Sequence, residues 1–114
     1  MRIIDWLFGP PVPQIDVREA HARLADGAPL IVDVRQPAET SSGTVPGAVL
    51  IPLTELRRRL DELPRDRPVL TICQSSHRSP LAARRLAKAG FDVTDVAGGL
   101  QAWRAAGLPT SSQP

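Results

Sequence analysis

Short runs of apolar, β-branched residues alternate along this chain with segments that have the periodicity of helices. Residues that favour turns bound each run, as expected for strands buried on both faces of a parallel sheet. Strands that alternate with helices predict an α/β domain with a mostly parallel sheet. The predicted strands are 29–34, 48–53, 67–73 and 91–97.

The intervening segments are predicted to be helices because apolar residues recur on one face and capping residues lie at their ends. Asp16, Thr54 and Ser79 are the predicted N-cap residues of the first three helices. His21 is expected to lie on a solvated helix face. The four predicted helices cover 17–27, 55–64, 80–90 and 99–107.

The 114 residues suffice for one domain with a single core, and the net charge is only +2. Binding of nucleic acid needs a clustered basic patch and aromatic side chains for stacking. The chain has two Trp, two Phe and no Tyr, and its one basic cluster, 57–59, would point in several directions on a helix. A nucleic-acid partner is therefore not expected.

The two ends of the chain are predicted to lie outside the domain, as an N-terminal arm or short helix over 1–13 and a disordered tail over 110–114. The apolar run of the arm is interrupted by Asp5, so it falls short of the ~7–15 apolar residues of a signal peptide, and no integral membrane segment is expected. Its large apolar side chains are expected to pack on the domain, or alternatively to form a docking patch for a partner or a membrane surface. These side chains are Ile3, Trp6, Leu7 and Phe8.

Cys73 is the only cysteine of the chain. A single cysteine excludes an intramolecular disulfide and leaves too few soft ligands for a structural zinc site. A free thiol persists most easily in a reducing compartment, so the cytoplasm is the expected location.

Cys73 also ends a predicted strand, just before the polar segment 74–78 and the helix expected at 80–90. In α/β folds, ligands bind beyond the carboxyl ends of the strands. Loop N–H groups, the positive end of the helix and Arg78 would favour the thiolate, and such surroundings lower a cysteine pKa from ~8.5 to ~3.5–7.5. We therefore predict a reactive nucleophile in an anion-binding loop. The alternative is a buried cysteine that acts as a small apolar side chain.

Four separated motifs, LIVDVRQPAET, SGTVPGAVLIPLTEL, CQSSHRS and DVAGGLQAWRAAGLP, have the order and spacing of the rhodanese domain. The chain resembles this family over residues 14–109. The resemblance implies an α/β, rhodanese-like fold with a central parallel sheet of about five strands, helices on both faces, and the cysteine loop as the active site.

The resemblance to this family implies a thiosulfate sulfurtransferase. Cys73 would attack the outer sulfur of thiosulfate, release sulfite and hold the sulfur as a persulfide, which cyanide, a thiol or a protein acceptor then removes. A protein could equally serve as the sulfur donor, and no metal or organic cofactor is required. The residues implied to bind the substrate are Gln74, Ser75, Ser76, His77, Arg78 and Ser79.

Two residues at the end of the first predicted strand, Asp33 and Arg35, are expected to support the site. Arg78 either braces the loop through an ion pair with a carboxylate, for which Asp33 is the expected partner, or faces the substrate anion; the resemblance favours the brace. Arg35 is expected to form a local ion pair with Glu39 that fixes the turn after the strand.

Two other functions remain open at this point. Cysteine-dependent phosphatases of related fold, and arsenate reductases, are disfavoured because the phosphatases place one more residue between the cysteine and the arginine. A non-catalytic or regulatory rhodanese-like module that binds a partner is favoured by two departures from the family. Ser76 replaces the usual loop glycine, which costs about 1 kcal/mol or more if the position requires positive φ, and Thr44 replaces the usual histidine.

Overall fold

The computed structural model of the protein describes residues 2–112. Its centre is a five-stranded sheet in which every neighbouring pair of strands is parallel, in the order β1-β5-β4-β2-β3. The predicted α/β fold with a parallel sheet of five strands is confirmed. The strands are β1 (Gln14–Ile15), β2 (Leu30–Asp33), β3 (Val49–Leu50), β4 (Val69–Ile72) and β5 (Val93–Val96).

Helices cover both faces of this sheet. Helices α2 and α5 pack on one face, whereas α4 and the first of two 3-10 helices pack on the other. The α-helices are α1 (Ile3–Phe8), α2 (Val17–Ala25), α3 (Pro37–Thr40), α4 (Ser79–Lys88) and α5 (Gly99–Ala105), and the 3-10 helices are Leu53–Arg58 and Leu60–Glu62.

Strand β4 contributes side chains to both cores because successive residues of a strand point to opposite faces. Leu70 and Ile72 lie in the core under α2 and α5. Val69 and Cys73 lie in the core under α4. The alternation therefore places the thiol on the same side of the sheet as the helix that follows it.

Strand β1 was not predicted, and the predicted strands are longer than those observed. Gln14 and Ile15 belong to no apolar run, whereas the equally short β3 lies within the apolar run 48–53. Strand β1 forms because Gln14 and Ile15 pair with Asp95 and Val96 of β5, and because the Gln14 amide donates to the Asp95 carboxylate over 2.8 Å.

The α-helix predicted over 55–64 is wrong, since two 3-10 helices occupy this region and Thr54 lies inside the first instead of capping it. The apolar residues explain the difference. Leu53 and Leu56, and then Leu60 and Leu63, are three residues apart, which is the turn length of a 3-10 helix. All four pack against the core under α4.

The first predicted N-cap is confirmed, because the Asp16 carboxylate accepts a hydrogen bond of 2.8 Å from the Glu19 N–H. His21, in the helix that follows, is half-buried instead of solvated. Its ring meets that of Trp103 edge to face, with 5.7 Å between the ring centres. The polar face of α2 is thus used in packing against α5.

The N-terminal segment contains the short helix α1, which is one of the two expected forms, but the contacts at both ends of the chain differ from expectation. None of the residues of α1 is buried, so the expected packing of its apolar side chains on the domain is wrong. At the other end, Ser111 lies within the predicted disordered tail but exchanges two backbone hydrogen bonds with Thr44. Residues 113 and 114 lie outside the described residues. Within 2–112, no helix is both long and apolar enough to cross a bilayer.

Candidate active site

Cys73 follows the last residue of the central strand, at the carboxyl edge of the sheet, and is fully buried. The segment 74–78 wraps the thiol before α4 begins at Ser79. The carbonyl oxygens of Cys73 and Gln74 accept hydrogen bonds from the N–H groups of Leu100 and Gln101, over 2.8 and 2.9 Å. The first turn of α5 therefore anchors the start of the loop.

The surroundings of Cys73 lower the pKa of its thiol. Burial alone raises this pKa, because it disfavours the charged form. The Ser79 hydroxyl and the N–H groups of Ser79, Arg78 and Ser75 favour the charged form, outweigh the burial and leave the pKa below its ordinary value. The loop is thus a cradle of donors that stabilises the thiolate.

Ser79 is the first residue of α4, and Arg78 occupies the N-cap position, so the prediction that Ser79 caps the helix is wrong. The physical reason lies in its side chain. Ser79 Oγ is buried and has no hydrogen-bond partner within residues 2–112. Its hydroxyl lies near the Cys73 sulfur and contributes to the lowered pKa of the thiol.

Arg78 forms a two-pronged ion pair with Glu39 of α3, with N···O distances of 2.6 and 2.7 Å. The prediction that Asp33 is the partner of Arg78 is therefore wrong. The Arg78 guanidinium holds the pKa of Glu39 down at about 2, and the Gln36 N–H also donates to the same carboxylate. The geometry fits an arginine that ties the loop to α3.

Asp33 is unavailable to Arg78 because its carboxylate is already occupied in the interior. Arg35 is buried and donates to both Asp33 oxygens, with an Nη2–Oδ2 distance of 2.8 Å. The Thr44 hydroxyl donates to Asp33 Oδ2 over 2.6 Å. Thr44, which replaces the family's usual histidine, is therefore part of a buried polar network with Asp33 and Arg35.

The expected ion pair between Arg35 and Glu39 is also wrong. Arg35 reaches only the backbone carbonyl of Glu39, over 3.4 Å, because the Glu39 carboxylate binds Arg78. Arg35 instead donates to Gly43 O over 2.8 Å and to the Gln74 side chain over 3.3 Å. The Asp33–Arg35 pair thus contacts the first residue of the cysteine loop.

Ser76 has φ of 69°, and within residues 2–112 it is the one non-glycine residue with positive φ. This is the conformation in which serine was expected to be unfavourable. Its side chain offsets that cost, because Ser76 Oγ accepts a hydrogen bond of 2.6 Å from the Gly98 N–H. The serine thus links the loop to the turn before α5.

Gly98 and Gly99 were not identified as site residues from the sequence. Both have positive φ, and a side chain at Gly99 would collide with the Cys73 and Gln74 carbonyl groups. Their adjacency before a predicted helix is the signal that could have revealed them, since two glycines together indicate a turn that approaches other backbone closely.

The outer side of the loop carries Ser75 and His77, and His77 is the exposed member of the two. Ser75 Oγ and His77 Nδ1 are 2.8 Å apart. The two side chains face away from the buried network and could contact an approaching substrate. Within residues 2–112, no three His, Cys, Asp or Glu side chains form a cluster suited to a metal ion.

Comparison with known proteins was made by sequence and by structure. A sequence model of the rhodanese-like domain matches residues 16–106. A sulfurtransferase of Allochromatium vinosum is 39% identical over 100 residues, which are 86% of this chain and 94% of that protein. A candidate sulfur carrier protein of Bacillus subtilis, YrkF, is 35% identical over 94 residues. These residues are 81% of this chain and 51% of YrkF, so the chain spans about half the length of that protein. The crystal structure of a rhodanese-related protein from Thermoplasma volcanium matches with a TM-score of 0.84 and 31% identity, over 89% of this chain and 99% of that one.

Proposed function

Because this chain belongs to the family of rhodanese-like domains, we propose that it is a sulfurtransferase that carries sulfane sulfur as a persulfide on Cys73. The observation that carries the proposal is the cradle around the thiol. The hydroxyl and N–H of Ser79 and the N–H groups of Ser75 and Arg78 together lower the pKa of Cys73. The similarity to a sulfurtransferase along 94% of that protein supports the same reaction class.

The proposed reaction has two displacements at sulfur. The Cys73 thiolate attacks the outer sulfur of thiosulfate, a new S–S bond forms, and the old S–S bond breaks with its electron pair leaving on sulfite. A thiolate or cyanide then attacks the outer sulfur of the persulfide, and the Cys73 thiolate leaves. The same N–H groups stabilise thiolate and persulfide because both are anions at nearly the same place.

The rest of the loop is proposed to bind and position the donor. Gln74, Ser75, Ser76 and His77 surround the thiol, while Arg78 holds the loop to Glu39. Cys73 has no exposed surface, so the loop residues are the first groups that an approaching donor meets. We propose that the donor and acceptor are small anions such as thiosulfate, a thiol or cyanide, or a protein that carries sulfur. The cytoplasm is the proposed location, since the thiol must stay reduced.

The decisive experiment measures thiocyanate formed from thiosulfate and cyanide by the wild type and by Cys73→Ser. We expect turnover in the wild type and none in the variant. After thiosulfate alone, mass spectrometry of the wild type should show a gain of about 32 Da, one sulfur atom, on the peptide that contains Cys73. A folded wild type that gives neither product nor mass gain with thiosulfate or with a persulfide donor would contradict the proposal.

A partner-binding module without catalysis is the second candidate, and the complete burial of Cys73 is the observation that favours it. In that case the thiol is a packed side chain, and Cys73→Ser should leave partner binding intact. The phosphatase and arsenate reductase alternatives remain disfavoured by the length of the loop, since only four residues lie between Cys73 and Arg78.

A further inference from the structure

The N-terminal helix α1 exposes large apolar side chains to solvent. Ile3 is 77% exposed, Trp6 65% and Leu7 50%, and Ile4 and Phe8 are exposed as well. We call this patch, formed by Ile3, Ile4, Trp6, Leu7 and Phe8, the arm surface. Large contiguous apolar patches on a folded domain mark a surface that contacts a partner or a membrane.

The helix that carries the arm surface is held firmly on α4. The Arg84 guanidinium donates to the Asp5 carboxylate over 2.9 Å and to Gly9 O over 2.7 Å. Gly9 lies against the Arg84 carbonyl so closely that a side chain there would collide with it. These polar contacts fix α1 with its apolar side chains facing outward.

The same contacts keep negative charge away from the outward side of the arm. Asp5 is the only carboxylate among residues 2–13, and it is turned inward to Arg84, with 18% of its side chain exposed. Lys88 lies over the Trp6 ring, 5.8 Å from its centre. The outward side of the arm therefore combines apolar groups with positive charge.

A cleft of about 460 Å³ adjoins the arm surface and extends the positive charge. Leu7, Phe8 and Leu60 form apolar parts of its lining, and Arg57, Arg85 and Lys88 supply three cations. Within residues 2–112, none of these three cations forms an ion pair with a carboxylate. Their neighbours Arg58 and Arg59, in contrast, are paired with Glu55.

We propose that the arm surface docks the domain on an anionic lipid bilayer. Trp6, Leu7 and Phe8 enter the interfacial region, and Arg57, Arg85 and Lys88 contact lipid phosphates. Tryptophan and phenylalanine suit this region, and basic residues near the surface add attraction to anionic lipids. A helix of six residues lies on the membrane and does not cross it.

Two other occupants fit the surface less well. A symmetric contact between two copies would bring both sets of unpaired cations around one apolar patch, because each copy contributes the same surface. An acidic protein would satisfy the cations, but the large side chains project outward from α1 and would need a matching groove. A bilayer accepts projecting apolar groups and supplies a continuous field of negative charge, and this proposal does not depend on the sulfur chemistry.

The test is co-sedimentation of the full chain with vesicles of phosphatidylcholine alone and with vesicles of phosphatidylcholine and phosphatidylglycerol in equal parts. We expect binding to the anionic vesicles only, weakened by added salt, with a blue shift of Trp fluorescence as Trp6 leaves water. Trp103 is already buried and serves as an unchanged background. Absence of binding to anionic vesicles at low salt would overturn the proposal.

Variants separate the apolar and the charged contributions. Trp6→Ser with Leu7→Ser should weaken binding about ten-fold or more, with an unchanged melting temperature because neither side chain is buried. Arg57→Glu should weaken it by at least about five-fold. Arg18→Glu makes the same change of charge at an exposed position of α2 and should have a much smaller effect.

Equal losses in Arg57→Glu and Arg18→Glu would show a net-charge effect and overturn the proposed site. Dimerisation of the wild type that is lost in the Trp6→Ser, Leu7→Ser variant, without vesicle binding, would assign the arm surface to a second copy of the chain instead.

Discussion

Ser79 is a residue to which the sequence and the structure assign different roles. Ser–Pro at the start of a helix is an ordinary capping sequence, and sequence alone favours a cap. In the structure its oxygen is buried, has no hydrogen-bond partner within residues 2–112, and helps to lower the pKa of the nearby Cys73 thiol. A buried hydroxyl without such a partner is costly unless it serves the thiolate, which gives Ser79 a role in the chemistry of the site.

Replacing Ser79 by Ala should raise the pKa of Cys73, because a donor that favours the charged form of the sulfur is lost. Since the folded protein lowers this pKa, the wild-type thiolate forms at lower pH than in an ordinary cysteine and is lost as pH falls through the lowered value. The ultraviolet absorbance of the thiolate measures this titration in a chain with one Cys and no Tyr.

Ser41→Ala is the matched control for this titration, because the exposed Ser41 hydroxyl bonds only to a carbonyl near its own helix. Its thiolate titration should coincide with that of the wild type. Identical titrations of wild type and Ser79→Ala would contradict the assigned role of Ser79.

Ser76 combines an unfavourable backbone conformation with a compensating hydrogen bond. Ser76→Ala keeps positive φ and leaves the Gly98 N–H without its acceptor, so it should lower the free energy of unfolding by about 1–2 kcal/mol. Ser76→Gly also loses the bond but removes the backbone cost, which is about 1 kcal/mol. Urea unfolding should therefore rank wild type and Gly above Ala; an Ala variant as stable as Gly would refute this account.

At the scale of elements, the short helix α3 acts as a brace for the cysteine loop. Its capping arrangement holds Glu39 through the Gln36 N–H, and Glu39 in turn binds both prongs of Arg78. Opposite the brace, the first turn of α5 bonds to the carbonyl groups at the start of the loop. The loop is thus held between two helices that come from different parts of the chain.

Glu39→Gln should loosen the loop while changing global stability little, because this pair is about one-third exposed and such pairs contribute ~1 kcal/mol or less. We expect faster hydrogen exchange of the amides of 74–78 and slower formation of the persulfide. Glu55→Gln is the matched control, since Glu55 is an ion-paired glutamate of similar exposure and bonds to Arg58 and Arg59.

The wild type should show the same loosening only in strong acid. The pKa of Glu39 is lowered to about 2, so its contribution to stability is fully present above the ordinary value of ~4.3 and is lost as pH falls toward 2. If hydrogen exchange of the amides of 74–78 is unchanged in Glu39→Gln, or is as fast in Glu55→Gln as in Glu39→Gln, the ion pair between Arg78 and Glu39 does not brace the loop.

At the scale of the whole molecule, the parallel sheet assembles the site. All five strands end at the same edge, so Asp33 at the end of β2, Cys73 after β4 and the glycines after β5 meet there. Two separate cores under opposite helix layers hold the strands in place. The arm lies on the later part of α4, and its contacts with Arg84 and Lys88 leave the start of that helix, at the loop, uncovered.

Much of this organisation can be predicted from local patterns. Strands β2 to β5, the helices α2, α4 and α5, and the position of Cys73 at a strand end all follow from patterns within single segments. Strand β1 and the 3-10 helices do not. Gln14 and Ile15 belong to no apolar run and pair only with the distant β5, and a spacing of leucines by three also fits the buried stripe of an α-helix. The positive φ of Ser76 was foreseen as a cost, but its hydrogen bond to Gly98 joins residues that are 22 apart.

By itself, the sequence determined the parallel α/β architecture and the cysteine loop at its carboxyl edge, because both depend on the order of residues within short segments. Only the tertiary structure decided the pairing of charges. Asp33 and Glu39 both lie near enough to Arg78 to raise its pKa. Burial of Arg35 and Thr44 beside Asp33 occupies that carboxylate, and so Glu39 alone remains for the loop arginine.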